Sequence, residues 1–410
     1  MDKSATSREM LDYYLKKSYA DAAAAKKSGK KICWATSISP CEFCETLGIH
    51  MLYPENHAAA IAARHGAEDM IQVAERKGYC LDICSYARLN LAYADIGRSV
   101  AEEMPLPDFL LVCNNICEVV IKWFENLSYE LKIPLITLDM PYNYGPEPTE
   151  RGVDYIVAQF EDCVRQMEII TGNTFDWQRF NEVMDIALES SFWWLKAMSL
   201  ASANPSPLNG FDMFNYMALI VCLRGKNGCR DTFRKLTEEL EEKIRLGYTA
   251  FPGGEKYRIM WEGIACWPYL NFTFRTMRNS GMNLTGSTYP VAWALEYDRG
   301  DLRSLARAYA STANNSSLPG QIDLRVRVMR EYGCEGATYH MNRSCKTMAF
   351  LHHEMQGAVS AATNTPFISF DGDQSDPRNF SGAQFETRIQ GLREMIDQRR
   401  QARPGREGEL

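Results

Sequence analysis

Residues 107–115, PDFLLVCNN, are followed by ICEVVIKWFENLSYEL over residues 116–131 and by IPLITLDMP over residues 133–141. The first and third runs are short, apolar and bounded by Pro, Asn and Asp, which is typical of buried strands. The middle run follows a short polar turn and is predicted to form a helix. A strand, a helix and a second strand in this order predict a parallel α/β sheet.

The same alternation extends toward the N-terminus. KKICWAT (residues 30–36) and HMLYPE (residues 50–55) read as strands, and the alanine-rich residues 56–78 have helical periodicity. We therefore predict an N-terminal α/β domain over residues 30–150. It is preceded by a helical segment over residues 1–29.

The next part of the chain has a different pattern. Residues 151–254 contain long helical patterns with few strand signals, and we predict a helical segment there. The alternation resumes in a C-terminal α/β domain, residues 255–395, whose strand-like runs are YRIMWEGIA (257–265), CEGATYHM (334–341) and TPFISFDGD (365–373). The fold class is thus α/β, with two Rossmann-like or flavodoxin-like parallel-sheet domains. The polar residues 396–410 are expected to form a disordered tail.

Composition limits the function classes. The formal net charge of −7 over 410 residues argues against a nucleic-acid partner. The N-terminus lacks the apolar region of a signal peptide, and no run of about 18 apolar residues predicts a membrane span. We expect a cytoplasmic protein, in which the 13 cysteines remain reduced.

Three of these cysteines share a local context. Cys84, Cys117 and Cys345 each lie near the predicted start of a helix, and the last two follow a strand and a turn. Ligands of open α/β sheets bind beyond the carboxyl ends of the strands. Helix N-termini also carry partial positive charge, which favours thiolate and an anionic iron–sulfur cluster. Three cysteine ligands would leave one iron open to substrate.

The other cysteines carry weaker signals. Cys41 and Cys44 form a single CxxC without the second pair that a zinc ribbon needs, so we interpret them as ordinary helix-start residues. Cys80 and Cys113 each lie four residues before a chosen cysteine and are the alternative ligands. Burial as small apolar residues explains most of the remainder.

These cysteine contexts occur together with WATSISP (34–40), LYPENHAAA (52–60) and NRSCK (342–346). In this order and spacing they resemble the 2-hydroxyacyl-CoA dehydratase and benzoyl-CoA reductase superfamily, from about Lys30 to Arg393. Within it, the chain looks like the alpha-type subunit of an (R)-2-hydroxyacyl-CoA dehydratase. The PENH sequence of residues 54–57 favours the dehydratases, because the reductase branch tends to lack this full pattern.

The resemblance implies a heterodimer with a homologous beta-type subunit, each subunit holding a [4Fe-4S] cluster through three cysteines. Cys84, Cys117 and Cys345 match the ligand positions, and Ser37 and Glu55 match residues beside the cluster. It also implies a 2-hydroxyacyl-CoA substrate and a ketyl radical mechanism. A separate ATP-hydrolysing iron–sulfur activator would supply one electron.

Several alternatives remain open at this point. The chain could be a benzoyl-CoA-type reductase subunit, a non-catalytic electron-relay subunit, or a metal-free α/β protein with buried thiols. Glu55 could cap the helix that begins near Asn56, and Ser37 could equally be a helix N-cap. No motif identifies the acyl group, the CoA-binding residues or a flavin.

Overall fold

The computed structural model describes residues 4–251 and 254–402 and contains two four-stranded sheets. The strands of the first sheet are β1 (Ile32–Ala35), β2 (His50–Leu52), β3 (Phe109–Cys113) and β4 (Leu135–Leu138). The strands of the second sheet are β5 (Tyr257–Glu262), β6 (Met282–Gly286), β7 (Gly336–Asn342) and β8 (Phe367–Gly372). All pairings are parallel, which confirms the predicted fold class.

Helices connect and flank the two sheets. They are α1 (Ser7–Lys27), α2 (Cys41–Thr46), α3 (Pro54–Ala63), α4 (Ala67–Arg76), α5 (Ser85–Ile96), α6 (Val119–Leu131), α7 (Glu150–Thr171), α8 (Trp177–Ser199), α9 (Gly210–Leu223), α10 (Asn227–Arg245), α11 (Leu270–Asn279), α12 (Thr288–Val291), α13 (Leu302–Ala310), α14 (Leu318–Glu331), α15 (Lys346–Thr363) and α16 (Gly382–Gln401). None of the helices in the described part of the chain is both long and apolar enough to cross a membrane.

The first sheet has the strand order β2-β1-β3-β4. Its two central strands are buried throughout, as their apolar sequences predict, and Trp34 of β1 lies between Leu52 of β2 and Leu110 of β3. Parallel strands end at a common edge, so the loops after β1, β2 and β3 converge there. Ser37, Glu55 and Cys117 follow these three strands.

The second sheet has the order β6-β5-β7-β8, and its edge strand β6 is absent from the elements predicted above. The sequence of β6, MNLTG, mixes polar and apolar residues and therefore does not read as a buried strand. All five residues are nevertheless buried. The Asn283 amide donates to Glu255 Oε2 at 2.7 Å, which satisfies a polar group inside the core.

The C-terminal helix corrects one prediction. Residues 396–410 were expected to be disordered, but α16 continues to Gln401 and the side chain of Ile396 is buried. This apolar contact holds the last turns of the helix on the protein. Residues 403–410, the rest of the predicted tail, lie outside the described residues.

The two sheets share one large hydrophobic cluster, and the second sheet also contributes to a second, smaller one. Buried side chains from β1, β3 and β5 and from the helices α7–α10 form a single cluster. Glu42 of α2 lies inside it and accepts hydrogen bonds from Tyr297 Oη at 2.9 Å and Tyr309 Oη at 2.7 Å. The buried guanidinium of Arg224 lies 3.7 Å from the same carboxylate, so the charge is compensated.

Gly210, the first residue of α9, allows this helix to rest directly on β6. A Cβ atom at this position would collide with the backbone oxygen and the side chain of Leu284. We expect Gly210→Ala to lower the free energy of unfolding by about 2–3 kcal/mol, because backbone must move to accommodate the methyl group. Urea denaturation would measure the loss. Gly391→Ala is the control: it lies in α16 with open space around it and should stabilise by about 0.5–1 kcal/mol.

Candidate functional site

Three predicted ligands border the same cavity, which has a volume of about 150 Å³. Cys84 is the N-cap residue of α5, Cys345 is the N-cap residue of α15, and Cys117 lies two residues before α6. The segment between α4 and α5, the loop after β3 and the loop after β7 therefore contribute to one site. All three residues are half-buried as a whole.

Burial dominates the electrostatics of these thiols. It raises the pKa of Cys84, Cys117 and Cys345 to about 12 in each case. Hydrogen bonds from backbone N–H groups at the three helix starts lower the thiol pKa values; those of Ala87 and Tyr86 act on Cys84 in this way. The expectation that helix N-termini lower the net thiol pKa is therefore wrong, because desolvation outweighs the helix ends.

The three thiols are close enough to influence one another. Cys117 raises the pKa of Cys84, Cys345 raises that of Cys117, and Cys84 raises that of Cys345, in each case as a contribution smaller than burial. The described residues contain no group of three or more His, Cys, Asp and Glu side chains that could hold one metal ion. The sulfurs around a single zinc lie about 3.8 Å apart, given a Zn–S distance near 2.3 Å. Each thiolate of a cubane binds a separate iron, so a cluster accepts a wider spacing.

The alternative ligands Cys80 and Cys113 lie elsewhere, and so do Cys41 and Cys44, which we interpret above as ordinary helix-start residues. Cys41 and Cys44 are buried in α2, Cys113 is buried at the end of β3, and Cys80 is exposed before α5. None of these four borders the cavity. The structure therefore brings together the three first-choice cysteines and not their alternatives.

Ser37 and Glu55 border the same cavity. Glu55 lies in the first turn of α3, and its Oε2 accepts a hydrogen bond from the backbone N–H of Ser37 at 2.6 Å. The carboxylate thus joins the loop after β1 to α3 and does not cap its own helix, whose N-cap residue is Tyr53. Burial raises the pKa of Glu55 to about 7. The hydrogen bonds from the hydroxyl and the backbone N–H of Ser37 act in the opposite direction and lower this pKa. A carboxyl group with this pKa can donate a proton near neutral pH.

A polar network behind the cysteines links the two α/β units. The buried carboxylate of Asp373, just after β8, accepts a hydrogen bond from Ser85 Oγ at 2.6 Å and one from the backbone N–H of Ser344 at 3.2 Å. The neighbouring Gln374 Nε2 donates to Ser344 Oγ at 3.0 Å and lies 3.5 Å from Cys84 Sγ. These contacts fix the two helix starts that carry Cys84 and Cys345.

Other residues at the cavity were not predicted as site residues. Glu262 ends β5, and its carboxylate pairs with Arg325 of α14 at 2.7 Å; both side chains are buried. Like Asp373 and Gln374, Glu262 lies at the carboxyl end of a strand. Glu262, Asp373 and Gln374 could have been predicted as site residues from their positions at the carboxyl ends of strands, if polar residues other than cysteine had been included.

The rest of the cavity wall is largely apolar. It includes Trp123 of α6, Phe214 and Met217 of α9, Tyr289 of α12, and Trp267, which lies between β5 and α11. A cavity with apolar walls and a few polar groups is the usual form of a small-molecule site. Exclusion of water from it would strengthen every electrostatic interaction inside.

Comparisons with known proteins fit this arrangement. Residues 36–396 match the family model of the 2-hydroxyglutaryl-CoA dehydratase D-component. The (R)-2-hydroxyisocaproyl-CoA dehydratase alpha subunit of Clostridioides difficile is 48% identical, with 99% of this chain and 100% of that protein covered. Lactoyl-CoA dehydratase subunit alpha of Anaerotignum propionicum is 44% identical (95% and 96% covered). The (R)-phenyllactyl-CoA dehydratase alpha subunit of Clostridium sporogenes is also 44% identical (93% of each chain). The chain belongs to the 2-hydroxyglutaryl-CoA dehydratase D-component family of enzymes.

Proposed function

We propose that the chain is the iron–sulfur, substrate-binding subunit of an (R)-2-hydroxyacyl-CoA dehydratase, a hydro-lyase that forms a 2-enoyl-CoA. The observation that carries this proposal is the meeting of Cys84, Cys117 and Cys345 at one cavity that also holds Ser37 and Glu55. The names of the three relatives described above, each an alpha subunit of a 2-hydroxyacyl-CoA dehydratase, support the reaction class.

The donor set suits a [4Fe-4S] cluster held by the three cysteines. Backbone N–H groups at the helix starts, such as those of Val119 and Val120 beside Cys117, can donate to cluster sulfurs. The thiols are strongly protonated on their own, so iron would have to displace their protons on binding. With three protein ligands, the cluster would supply one open iron as a Lewis acid toward an oxygen of the substrate.

Glu55 is proposed as the proton donor to the departing hydroxyl group. Its carboxyl borders the cavity, and burial places its pKa near pH 7. The backbone N–H of Ser37 fixes the orientation of this carboxyl, and the Ser37 hydroxyl, which also hydrogen-bonds Glu55, would have to turn from it to donate to a substrate oxygen. The two residues thus position and protonate the group that leaves.

The proposed reaction begins with one-electron reduction of the thioester carbonyl to a ketyl radical anion. This species expels the 2-hydroxyl group, which leaves as water after it takes a proton from Glu55. The resulting enoxy radical has an acidic β-hydrogen; that proton is lost and replaces the one that Glu55 gave to the hydroxyl, and the electron is recovered. The sum is the loss of one water molecule without consumption of the electron.

We propose two protein partners on the same grounds. The alpha-subunit names of the relatives support a homologous beta-type subunit in a heterodimer. The reaction also needs an electron at low potential from outside the chain, which an ATP-dependent iron–sulfur activator would provide.

A second cavity offers a path for the CoA part of the substrate. It has a volume of about 210 Å³ and shares Asn56, Ala59 and Phe214 with the wall of the first cavity. Its lining carries three cations, those of Arg8, Lys16 and Arg64, and the carboxylates of Asp12 and Glu102. Arg8 pairs with Asp12 at 3.7 Å, and Arg64 pairs with Glu102 at 2.7 Å. The ammonium group of Lys16 forms no ion pair with any described residue and could meet a CoA phosphate.

Lys16→Glu is therefore expected to raise the KM for an acyl-CoA about five- to tenfold at low salt, because it reverses one charge near a phosphate. The KM for the matching acyl-pantetheine thioester, which lacks the phosphates, should not change. Lys17→Glu is the matched control, since Lys17 lies outside this cavity and pairs with Asp21. Equal effects of the two variants, or an equal effect on both substrates, would contradict this route.

The function itself is tested by an anaerobic assay of the heterodimer with its activator. We expect (R)-2-hydroxyisocaproyl-CoA to lose water and form the 2-enoyl-CoA, and we expect no reduction of benzoyl-CoA. Ring reduction without dehydration would establish the reductase alternative. Neither activity, in a protein with full iron content, would contradict the proposed reaction.

A further inference from the structure

The cavity contains a buried ion pair that the proposed reaction does not use. Arg325 Nη2 lies 2.7 Å from Glu262 Oε1, and these residues are only 2% and 1% exposed. Thr288 Oγ1 lies 2.8 Å from both oxygens of the same carboxylate. Arg325 Nη1 donates to the backbone oxygen of Gln321 at 3.0 Å. The guanidinium and the carboxylate therefore neutralise each other within the wall.

This pairing leaves no cation without an ion pair among the described residues that line the cavity. Among the described residues that border it, the charged side chains are Glu55, Glu262 and Arg325. The only cation of the three is already bound to Glu262. A ligand carboxylate buried here would have no free cationic partner, which is costly in a desolvated site.

The aromatic part of the wall presents apolar surface. Each of three tryptophans at the cavity uses its indole N–H inside the protein. The acceptors are Asn90 Oδ1 for Trp123 at 2.9 Å, Tyr86 Oη for Trp267 at 2.5 Å and Met217 Sδ for Trp293 at 3.1 Å. The rings thus offer apolar faces to a ligand and no free N–H donor.

We infer that this cavity binds an uncharged, apolar acyl side chain, and that Glu262 excludes acyl groups with a terminal carboxylate by neutralising Arg325. This inference rests on the proposed function and adds the substrate class. It assigns to Glu262 a role in specificity and none in the chemical step. Removing its charge while keeping its shape should release Arg325 to bind an anionic side chain.

The experiment compares the binding of unreactive thioesters to the anaerobically purified complex by isothermal titration calorimetry. Isocaproyl-CoA and glutaryl-CoA lack the 2-hydroxyl group, so neither can be dehydrated. We expect glutaryl-CoA to bind about a hundredfold more weakly, since its carboxylate is buried unpaired. The glutaryl thioester with a terminal amide separates charge from size, and it should recover most of this loss.

The Glu262→Gln variant should reduce the discrimination between the two esters at least about tenfold, by freeing one cation. Glu255→Gln is the matched control. It removes another buried carboxylate that pairs with an arginine, Arg258, but lies outside the cavity, so the discrimination should not change. The wild-type ratio is measured without a substitution, so the test does not depend on the folding of E262Q.

Three results would overturn the inference: equal binding of both esters by the wild type, an amide as weak as the carboxylate, or unchanged discrimination in E262Q. None of these requires turnover. Failure of the proposed function would instead appear as absence of water loss from (R)-2-hydroxyisocaproyl-CoA. The two failures are therefore distinguishable.

Discussion

Replacing Cys84, Cys117 or Cys345 by alanine is expected to remove nearly all iron and sulfide from the anaerobically purified protein. The wild type should contain about four irons per chain, as one cubane cluster requires. Loss of one of three thiolates leaves a second iron without a protein ligand, in a cavity that is largely apolar. We expect each variant to lose its brown colour and its cluster absorption. Iron and acid-labile sulfide analysis measures the loss directly.

Cys41→Ala and Cys113→Ala are the controls for this result. Both cysteines are buried, as a packing residue is, but neither borders the cavity. Their iron content should equal that of the wild type, while stability falls slightly because a small cavity is left. A wild-type protein without iron would refute the cluster. Iron retained in one of the three cavity variants would show that another group replaces that ligand.

The parts of the site that depend on local sequence could be predicted. Cys117 is an example, because the apolar run before it, the Asn-Asn turn and the helix after it are all contiguous. Parallel strands then bring such turns to one edge of a sheet, so a strand–turn–helix pattern predicts a position in space. The same reasoning places Cys345 after β7.

Features that depend on contacts distant in sequence could not be predicted in this way. Glu262 and Arg325 are separated by 63 positions, and nothing near either residue indicates the other. Strand β6 mixes polar and apolar residues, and polar side chains such as Asn283 find their hydrogen-bond partners only in the folded core. The thiol pKa values also depend on the depth of burial, which reversed the effect expected from helix ends.

Glu55→Gln should separate a catalytic subunit from an electron relay. The amide has the shape of the carboxyl, and its oxygen can still accept the hydrogen bond from the Ser37 N–H. It cannot donate an acidic proton to the departing hydroxyl group, a contribution worth about a hundred- to ten-thousandfold in rate. We therefore expect kcat for water loss to fall by about a thousandfold. Iron content should stay at the wild-type level, since Glu55 is not a proposed ligand.

Glu255→Gln is the control for Glu55→Gln, because it shows how far replacing a glutamate outside the cavity lowers kcat through a general effect on the protein. Glu255 pairs with Arg258 and Asn283 outside the cavity, so its replacement should leave kcat within a factor of about two. A relay subunit only passes electrons, and E55Q should then retain full turnover because its cluster is intact. Full turnover with full iron would thus assign the chemistry to another subunit. A low kcat with full iron would place proton transfer to the leaving hydroxyl in this cavity, beside the three cysteines.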